Sequence, residues 1–478
     1  MERNDIIELT ITDISEEGKA LGRFENFVVF VKHAIPGDVV RAKVWKARRK
    51  FAEADIEEFI TYSPFRQTPQ CKYFGMCGGC AWQNIRYDEQ LSFKQKRVED
   101  AFMHIGGFSK LNIKPIIPSA TEYFYRNKME FSFAEHQWLP REAFQERKNN
   151  ATENEITFGL GFHPMNNWEK VLDIDECWLQ SETSNRILNC IRRFTIDHSI
   201  PVYSQDNRNG YFRNLVIREG KHTNEIMVNI VSFEHSPTMM KQLADYLLKE
   251  IPAITTIVNT VNTKIAQIAR GEEEHCYFGN GFITEKIGKY SFKISADSFF
   301  QTNTFQTEKL YSVVKEFGEL SQVDAVLDLY CGTGTIGIFL SDSCKKITGI
   351  DVIESAINDA KVNAEINSIN NADFILADLQ KGIQFSSTGI SHPDLIILDP
   401  PRNGLHHKVV SDVINISPSK IVYVSCNPAT QARDCKILTE FGYEIEEIQP
   451  VDMFPHTTHV ESVAKISKKS KQEFSGTV

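Results

Sequence analysis

The chain of 478 residues has no apolar run long enough to span a bilayer, which excludes a helical membrane protein. Its first residues, Met1-Glu2-Arg3-Asn4-Asp5, lack the charged-then-apolar pattern of a secretory signal, so the expected compartment is the cytoplasm. No internal repeat appears. There is no excess of positive charge either: the net charge is -10, which excludes a generally basic nucleic-acid coat but leaves room for a local basic patch. Cysteine is sparse and unevenly spread, with ten in all and three of them between Cys71 and Cys80. In a large cytoplasmic protein such a cluster points to a metal before a disulfide.

What is present divides the chain into four parts. Residues 1–61 read as a small β-barrel, with strand-like Ile6–Ile11 and Phe27–Val31 separated by turns at Gly18, Gly22 and Pro36-Gly37-Asp38. Val39–Lys46 alternates with basic residues on one face, and Arg48, Arg49, Lys50, Trp45 and Phe51 extend a basic and aromatic surface suited to single-stranded nucleic acid. Gly18-Lys19-Ala20-Leu21-Gly22 and Ile35-Pro36-Gly37-Asp38 resemble the TRAM domain, an OB-like RNA-binding module. Residues 62–295 read as a central α+β domain. It holds a helix over 87–104 whose Lys94, Lys96 and Arg97 are read as solvated charges, strands at 126–133 and 212–218, and a polar insertion at 137–155. Residues 296–466 alternate strand and helix as a Rossmann-like, doubly wound parallel sheet, and 467–478 form a Lys- and Ser-rich tail.

Cys71, Cys77 and Cys80 are spaced C-x5-C-x2-C, with Cys177 the choice for a fourth ligand. One tight trio plus one distant cysteine fits a cubane 4Fe–4S cluster better than structural zinc, which usually takes two close pairs; zinc is the alternative.

Two stretches of the last domain carry the chemistry. Ile421–Val424 is a short buried strand that runs into Ser425-Cys426-Asn427-Pro428, where Asn is a preferred N-cap and Pro a preferred first helical residue. Cys426 is therefore expected where a strand meets a helix, at the edge where parallel sheets bind ligands, its thiolate favoured by the positive helix end. The plainer alternative is a buried packing cysteine. Second, Gly332 and Gly334 lie in a turn after the strand Asp324–Tyr330, and Asp351 closes the next strand at the interval of a ribose-binding acid. Acids at three strand ends, Asp351, Asp378 and Asp399, favour S-adenosyl-L-methionine over a nicotinamide cofactor. Asp399-Pro400-Pro401 resembles the signature of methyltransferases acting on base nitrogens, with Arg402 in the aromatic position.

Asp328–Thr335, Asp399–Arg402, Val424–Thr430, Arg433-Asp434 and Asp452–Thr457 with His459–Ser462 together resemble the uracil-C5 RNA methyltransferases. The nearest branch has a TRAM domain and an iron–sulfur cluster and methylates ribosomal RNA. The resemblance runs over nearly the whole chain, including Phe300–Asn303 and the cysteines at 71, 77, 80 and 177. It implies an N-terminal TRAM barrel, a central domain with the 4Fe–4S site and a class I methyltransferase domain. The expected activity is methylation of a specific uridine in 23S ribosomal RNA by a monomer. It implies that Gln301, Tyr330, Asp351 and Asp399 contact the cofactor, with Gly332 and Gly334 admitting it closely.

The chemistry accounts for Cys426 and Glu461. Uracil C5 is a weak nucleophile; a thiolate that adds at C6 places electron density on C5. A base must then remove the C5 proton, a role expected of Glu461. In a strand His459 and Glu461 share a face, which brings both to one pocket. Asp399 is expected at either the pyrimidine or the amino-acid part of the cofactor. The alternatives are a transfer-RNA uracil-C5 methyltransferase, an RNA base N-methyltransferase with no use for Cys426, and a non-catalytic RNA-binding or folding factor.

Overall fold

The computed structural model describes residues 1–15, 18–140, 143–145, 158–164, 170–265, 268–383 and 392–469. Strands β1 (Ile6–Ile14), β2 (Ala20–Phe24), β3 (Phe27–Val31), β4 (Val39–Ala47) and β5 (Phe51–Thr61) close a barrel in the order β1-β2-β3-β5-β4. Along β4, Val40, Ala42 and Val44 point inward while Arg41 and Lys43 are exposed, as the alternation requires. The acidic face of β5 lies alongside: Arg41 pairs with Glu58 and Lys46 with Glu53. The unpaired basic surface is thus concentrated in the β4–β5 turn, where Arg48, Arg49 and Lys50 are exposed beside Phe51.

An eight-stranded sheet follows. It is built from β6 (Lys128–Ala134), β7 (Gln137–Trp138), β8 (Gly159–Phe162), β9 (Val171–Asp173), β10 (Phe212–Glu219), β11 (Ile226–Ser232), β12 (Thr256–Val261) and β13 (Glu273–Phe278), in the order β13-β12-β11-β10-β6-β8-β9-β7. The insertion expected at 137–155 begins as this edge strand rather than as a loop: Gln137 and Trp138 pair with β9. Residues 141–142 and 146–155 of it lie outside the described residues.

The third sheet holds β16 (Ala325–Leu329), β17 (Lys346–Asp351), β18 (Ala372–Leu376), β19 (Leu395–Leu398), β20 (Lys420–Ser425), β21 (Tyr443–Val451) and β22 (Glu461–Lys468). Its order is β18-β17-β16-β19-β20-β22-β21, parallel except for β22, with the order reversing beside β16. Because β22 is antiparallel, its first residue, Glu461, lies at the same edge as the carboxyl ends of the parallel strands. Ser467 and Lys468 pair with β20 and β21, so the tail expected from 467 starts later.

Two segments placed by sequence in the central region pack on this third sheet instead. The helix Tyr87–Asp100 and its π-helical turn Ala101–Gly106 bury Val98, Ala101 and Phe102 in the core that includes Tyr423 and Ala432. Residues 112–117 then cover the sheet's edge: Lys114 N donates to Ile448 O (2.8 Å) and Ile117 N to Pro450 O (3.0 Å). That pairing protects β21, which otherwise would leave a row of backbone groups open. The hairpin β14 (Phe282–Ile287) and β15 (Tyr290–Ser295) docks on the helix Glu354–Ile366, where Asn363 and Asn367 accept from Lys293 N and Ser291 N.

Candidate active site

Five strand ends converge. Leu398 of β19 pairs with Tyr423 of β20, and Ser425 pairs with Ser462 of β22, so Asp399, Cys426 and Glu461 follow one another across adjacent strands. Gly332 follows β16 and Asp351 ends β17 at the same edge. The local sequence makes Cys426 protrude there. Asn427 caps the helix Pro428–Glu440 by accepting from Ala429 N (3.1 Å), and its Nδ2 donates to Arg402 O (3.0 Å). Thr430 Oγ1 also donates to Arg402 O (3.3 Å). The segment Cys426–Thr430 therefore both presents the thiol and fixes the backbone of Arg402.

The electrostatics differ from the expectation for a helix-stabilised thiolate. Burial, followed by the neighbouring carboxyl of Glu461, pushes the Cys426 thiol up to about 11, against the opposing pull of the Arg402 guanidinium. Desolvation and the two acids, Glu461 and Asp399, outweigh the Arg402 guanidinium and favour the thiol. Glu461 is 6% exposed and is raised to about 8, first by burial and then by Asp399. Burial raises Asp399 to about 7. Arg402 is the cation facing this acidic group; it lowers both Cys426 and Glu461 and lies 3.0 Å from His459 Nε2. The strand begins at Glu461, so His459 precedes it and the expected alternation does not apply. Arg402 joins the two residues instead. Burial and this guanidinium hold the His459 ring neutral, at about 4.

The glycine turn is built for close approach. Tyr330 and Gly332 both adopt left-handed backbone, with φ of 65° and 53°, and a Cβ on Gly332 would meet no atom within 4 Å. A Cβ on Gly334 would lie 2.7 Å from the Phe374 ring. Asp351 pins the turn by accepting from Gly332 N (3.0 Å) and Ile353 N (2.9 Å), leaving further lone pairs on both oxygens. Phe299, Val352, Ile353 and Leu376 are exposed apolar side chains around it, a surface suited to a flat heterocycle. Gln301 is held through its carbonyl by Asn127 Nδ2 (2.9 Å). Asp378 caps the short turn Leu379–Lys381.

Sequence reasoning quoted two groups within motifs without giving either a role. Arg402 was noted as a departure from an aromatic pattern and as the end of Asp399–Arg402. Asp328, inside β16, is fully buried, and neither of its carboxyl oxygens has a partner in hydrogen-bond geometry. Burial and then Asp399 raise it to about 8. A lone acid in the apolar strand Ala325–Leu329 was the available signal.

The four predicted cysteines, Cys71, Cys77, Cys80 and Cys177, line one cleft of about 570 Å³, which extends to Arg402 and His459. Lys72 Nζ and Tyr73 OH both donate to Asp175 (2.8 Å each), drawing the Cys177 segment to the trio. Gly79 N donates to Cys77 Sγ (3.3 Å). Burial pushes the Cys77 and Cys80 thiols up to about 12. Among the described residues, no three His, Cys, Asp or Glu side chains close around a single ion.

The third sheet, its glycine turn and its acids define a class I S-adenosylmethionine-dependent methyltransferase. The tRNA (uracil-5-)-methyltransferase model matches residues 224–469 and the TRAM domain model residues 2–56. An RNA methyltransferase of Chlorobaculum tepidum is 42% identical over 97% of this chain and 96% of its own. One from Bacteroides thetaiotaomicron is 40% identical over 94% and 99%. The crystal structure of Pyrococcus abyssi tRNA (uracil-54, C5)-methyltransferase with S-adenosyl-L-homocysteine is 31% identical, with a TM-score of 0.73 over 96% of this chain and 100% of that one. The chain belongs to the uracil-C5 RNA methyltransferase family and is an S-adenosylmethionine-dependent RNA methyltransferase.

Proposed function

We propose that the enzyme methylates C5 of a specific uridine in 23S ribosomal RNA, acting in the cytoplasm as a monomer. The observation that supports the chemistry is the placing of Cys426 beside Glu461 at adjacent strand ends, where burial raises both groups. A base N-methyltransferase has no use for that thiol, and a non-catalytic RNA-folding factor has no use for either group.

S-adenosylmethionine supplies the methyl group as an electrophilic sulfonium. Its site is the turn Tyr330–Gly334 with Asp351, Asp378, Asp399 and Gln301, and the apolar side chains at the rim take the adenine. The flipped uracil enters beside Cys426. Cys426 loses its proton to solvent water, and the thiolate bonds C6, which moves the C5–C6 π pair toward C5. After C5 has gained its methyl group, the Glu461 carboxylate takes the C5 proton. The electron pair left behind re-forms the C5–C6 double bond and expels the Cys426 thiolate. A carboxyl raised to about 8 is a far stronger base than an ordinary glutamate, as proton abstraction near neutral pH demands. Arg402 sits beside both groups and favours the anionic form of each in turn.

The cysteine quartet suits a 4Fe–4S cluster. Four half-buried thiols lining one cleft, with Gly79 N donating to Cys77 Sγ, match the donor set. Cys71, Cys77, Cys80 and Cys177 would hold it.

A second reading, transfer RNA as substrate, is favoured by the Pyrococcus abyssi enzyme. All of that chain aligns over 96% of this one, so the overall architecture does not separate the two substrates. The deciding experiment is transfer of labelled methyl to RNA from cells lacking the protein, followed by nucleoside analysis of each size class. The expected product is 5-methyluridine in 23S ribosomal RNA, lost with Cys426→Ala. The same nucleoside in transfer RNA replaces the substrate, and a methylated nitrogen overturns the mechanism.

A further inference from the structure

Glu461 is delivered to the site by the turn that joins β21 to β22, and that turn is held from outside itself at five of its carbonyls. Met453 O accepts from Asn303 Nδ2 (3.0 Å), Phe454 O from Lys94 Nζ (2.9 Å) and Pro455 O from Tyr125 OH (3.1 Å). His456 O accepts from both Ala81 N (2.9 Å) and Trp82 N (3.0 Å), and Thr458 O from Arg97 (2.5 Å). Surface loops ordinarily leave such groups to water. Two residues of the helix Tyr87–Asp100 dominate the grip. Gln90 Oε1 accepts from His456 N (2.8 Å), and its Nε2 donates to Trp82 O and Ile85 O. Lys94, fully buried, lies 2.6 Å from Asp452, also fully buried, whose other oxygen accepts from Tyr87 OH (2.9 Å). His456, at φ 65°, is a buried non-glycine residue in left-handed backbone, a conformation that persists only where its surroundings impose it.

A dry ion pair is a poor source of stability, since apolar packing of the same volume does as well or better. What it supplies is geometry. We propose that Gln90 and Lys94 are positioning residues of the methyltransferase site. They hold the turn 452–458 in the conformation that sets Glu461 against Cys426, and so govern removal of the C5 proton rather than binding of RNA or cofactor. The inference rests on the mechanism above.

The test uses the full chain, with unmethylated transcripts of ribosomal and transfer RNA as substrate. The variants are Gln90→Leu and the charge-free pair Lys94→Met with Asp452→Asn. Glu461→Gln first establishes the step: it should accumulate an RNA adduct on Cys426 that survives denaturing electrophoresis. If wild type methylates but Glu461→Gln yields no adduct, the mechanism fails and this inference with it. With that adduct in hand, each positioning variant should lose at least about tenfold in kcat, with the KM for RNA and the Kd for S-adenosylmethionine unchanged within about threefold. The adduct should accumulate as it does in Glu461→Gln. Intact S-adenosylmethionine binding identifies folded protein, and Gln90→Leu carries the test alone should the double variant not fold. A kcat within twofold of wild type, or a loss of kcat in which the adduct disappears in proportion or KM rises to match, overturns the inference.

Discussion

Replacing Glu461 by Gln should change the pH dependence of stability in a calculable direction. In the folded chain this carboxyl is raised from 4.5 to about 8, by burial and then by Asp399. The folded state therefore binds a proton that the unfolded chain has already released. Stability linked to this group is complete below about pH 4.5 and is lost as pH rises toward and through 8. At 1.36 kcal/mol per tenfold change in acidity, the whole loss is on the order of 5 kcal/mol, and about 3 kcal/mol of it falls between pH 6 and pH 9. Glutamine keeps the shape and has no proton to lose. Urea unfolding followed by far-ultraviolet circular dichroism at pH 6 and pH 9 measures the difference. Circular dichroism is the suitable probe because the third sheet is drawn from residues 325–468, a stretch of sequence without tryptophan. Wild type should lose about 3 kcal/mol more than Glu461→Gln across that interval, with Asp399 adding a smaller loss common to both. A difference between the two proteins that stays constant with pH would mean that Glu461 is ionised throughout, and would refute its description as a desolvated base.

Other expectations follow from the same geometry. If the Cys426 thiol acts on the pyrimidine as proposed, Cys426→Ala should abolish methyl transfer while S-adenosylmethionine still binds within about threefold of wild type; equilibrium dialysis tests this. Gly332→Ala and Gly334→Ala should separate. Both pay about 1–2 kcal/mol for left-handed backbone, but a Cβ on Gly332 projects into open space, so cofactor affinity should fall more than stability. On Gly334 it strikes the Phe374 ring, so thermal stability should fall. Protein purified without oxygen should carry about four irons per chain, and Cys177→Ser should reduce that content as Cys77→Ser does. Equal iron in Cys177→Ser and wild type would remove Cys177 from the ligand set.

The gathering of most candidate site residues at one edge was legible because a parallel sheet brings its strand ends together there. Once Val424–Cys426, Leu398–Asp399 and Ile350–Asp351 read as strand ends, their polar residues had to converge, and Asn427-Pro428 marked the helix that follows. The barrel was legible from alternation in β4. What the sequence determined, then, is local: strand ends, caps, turns, and the residue types that thiol addition and proton abstraction require. Tertiary structure decided the rest. Lys94 reads as a solvated helical charge until its partner Asp452, 358 residues away, is folded against it. The Cys426 thiol reads as helix-activated until burial and the Glu461 and Asp399 carboxyls are brought against it and raise it. Residues 87–118 read as part of the central region until they wrap the third sheet and cover its edge. Each of these depends on burial and on charges brought together from distant parts of the chain, and a local pattern encodes neither the dielectric around a group nor the neighbour it will meet.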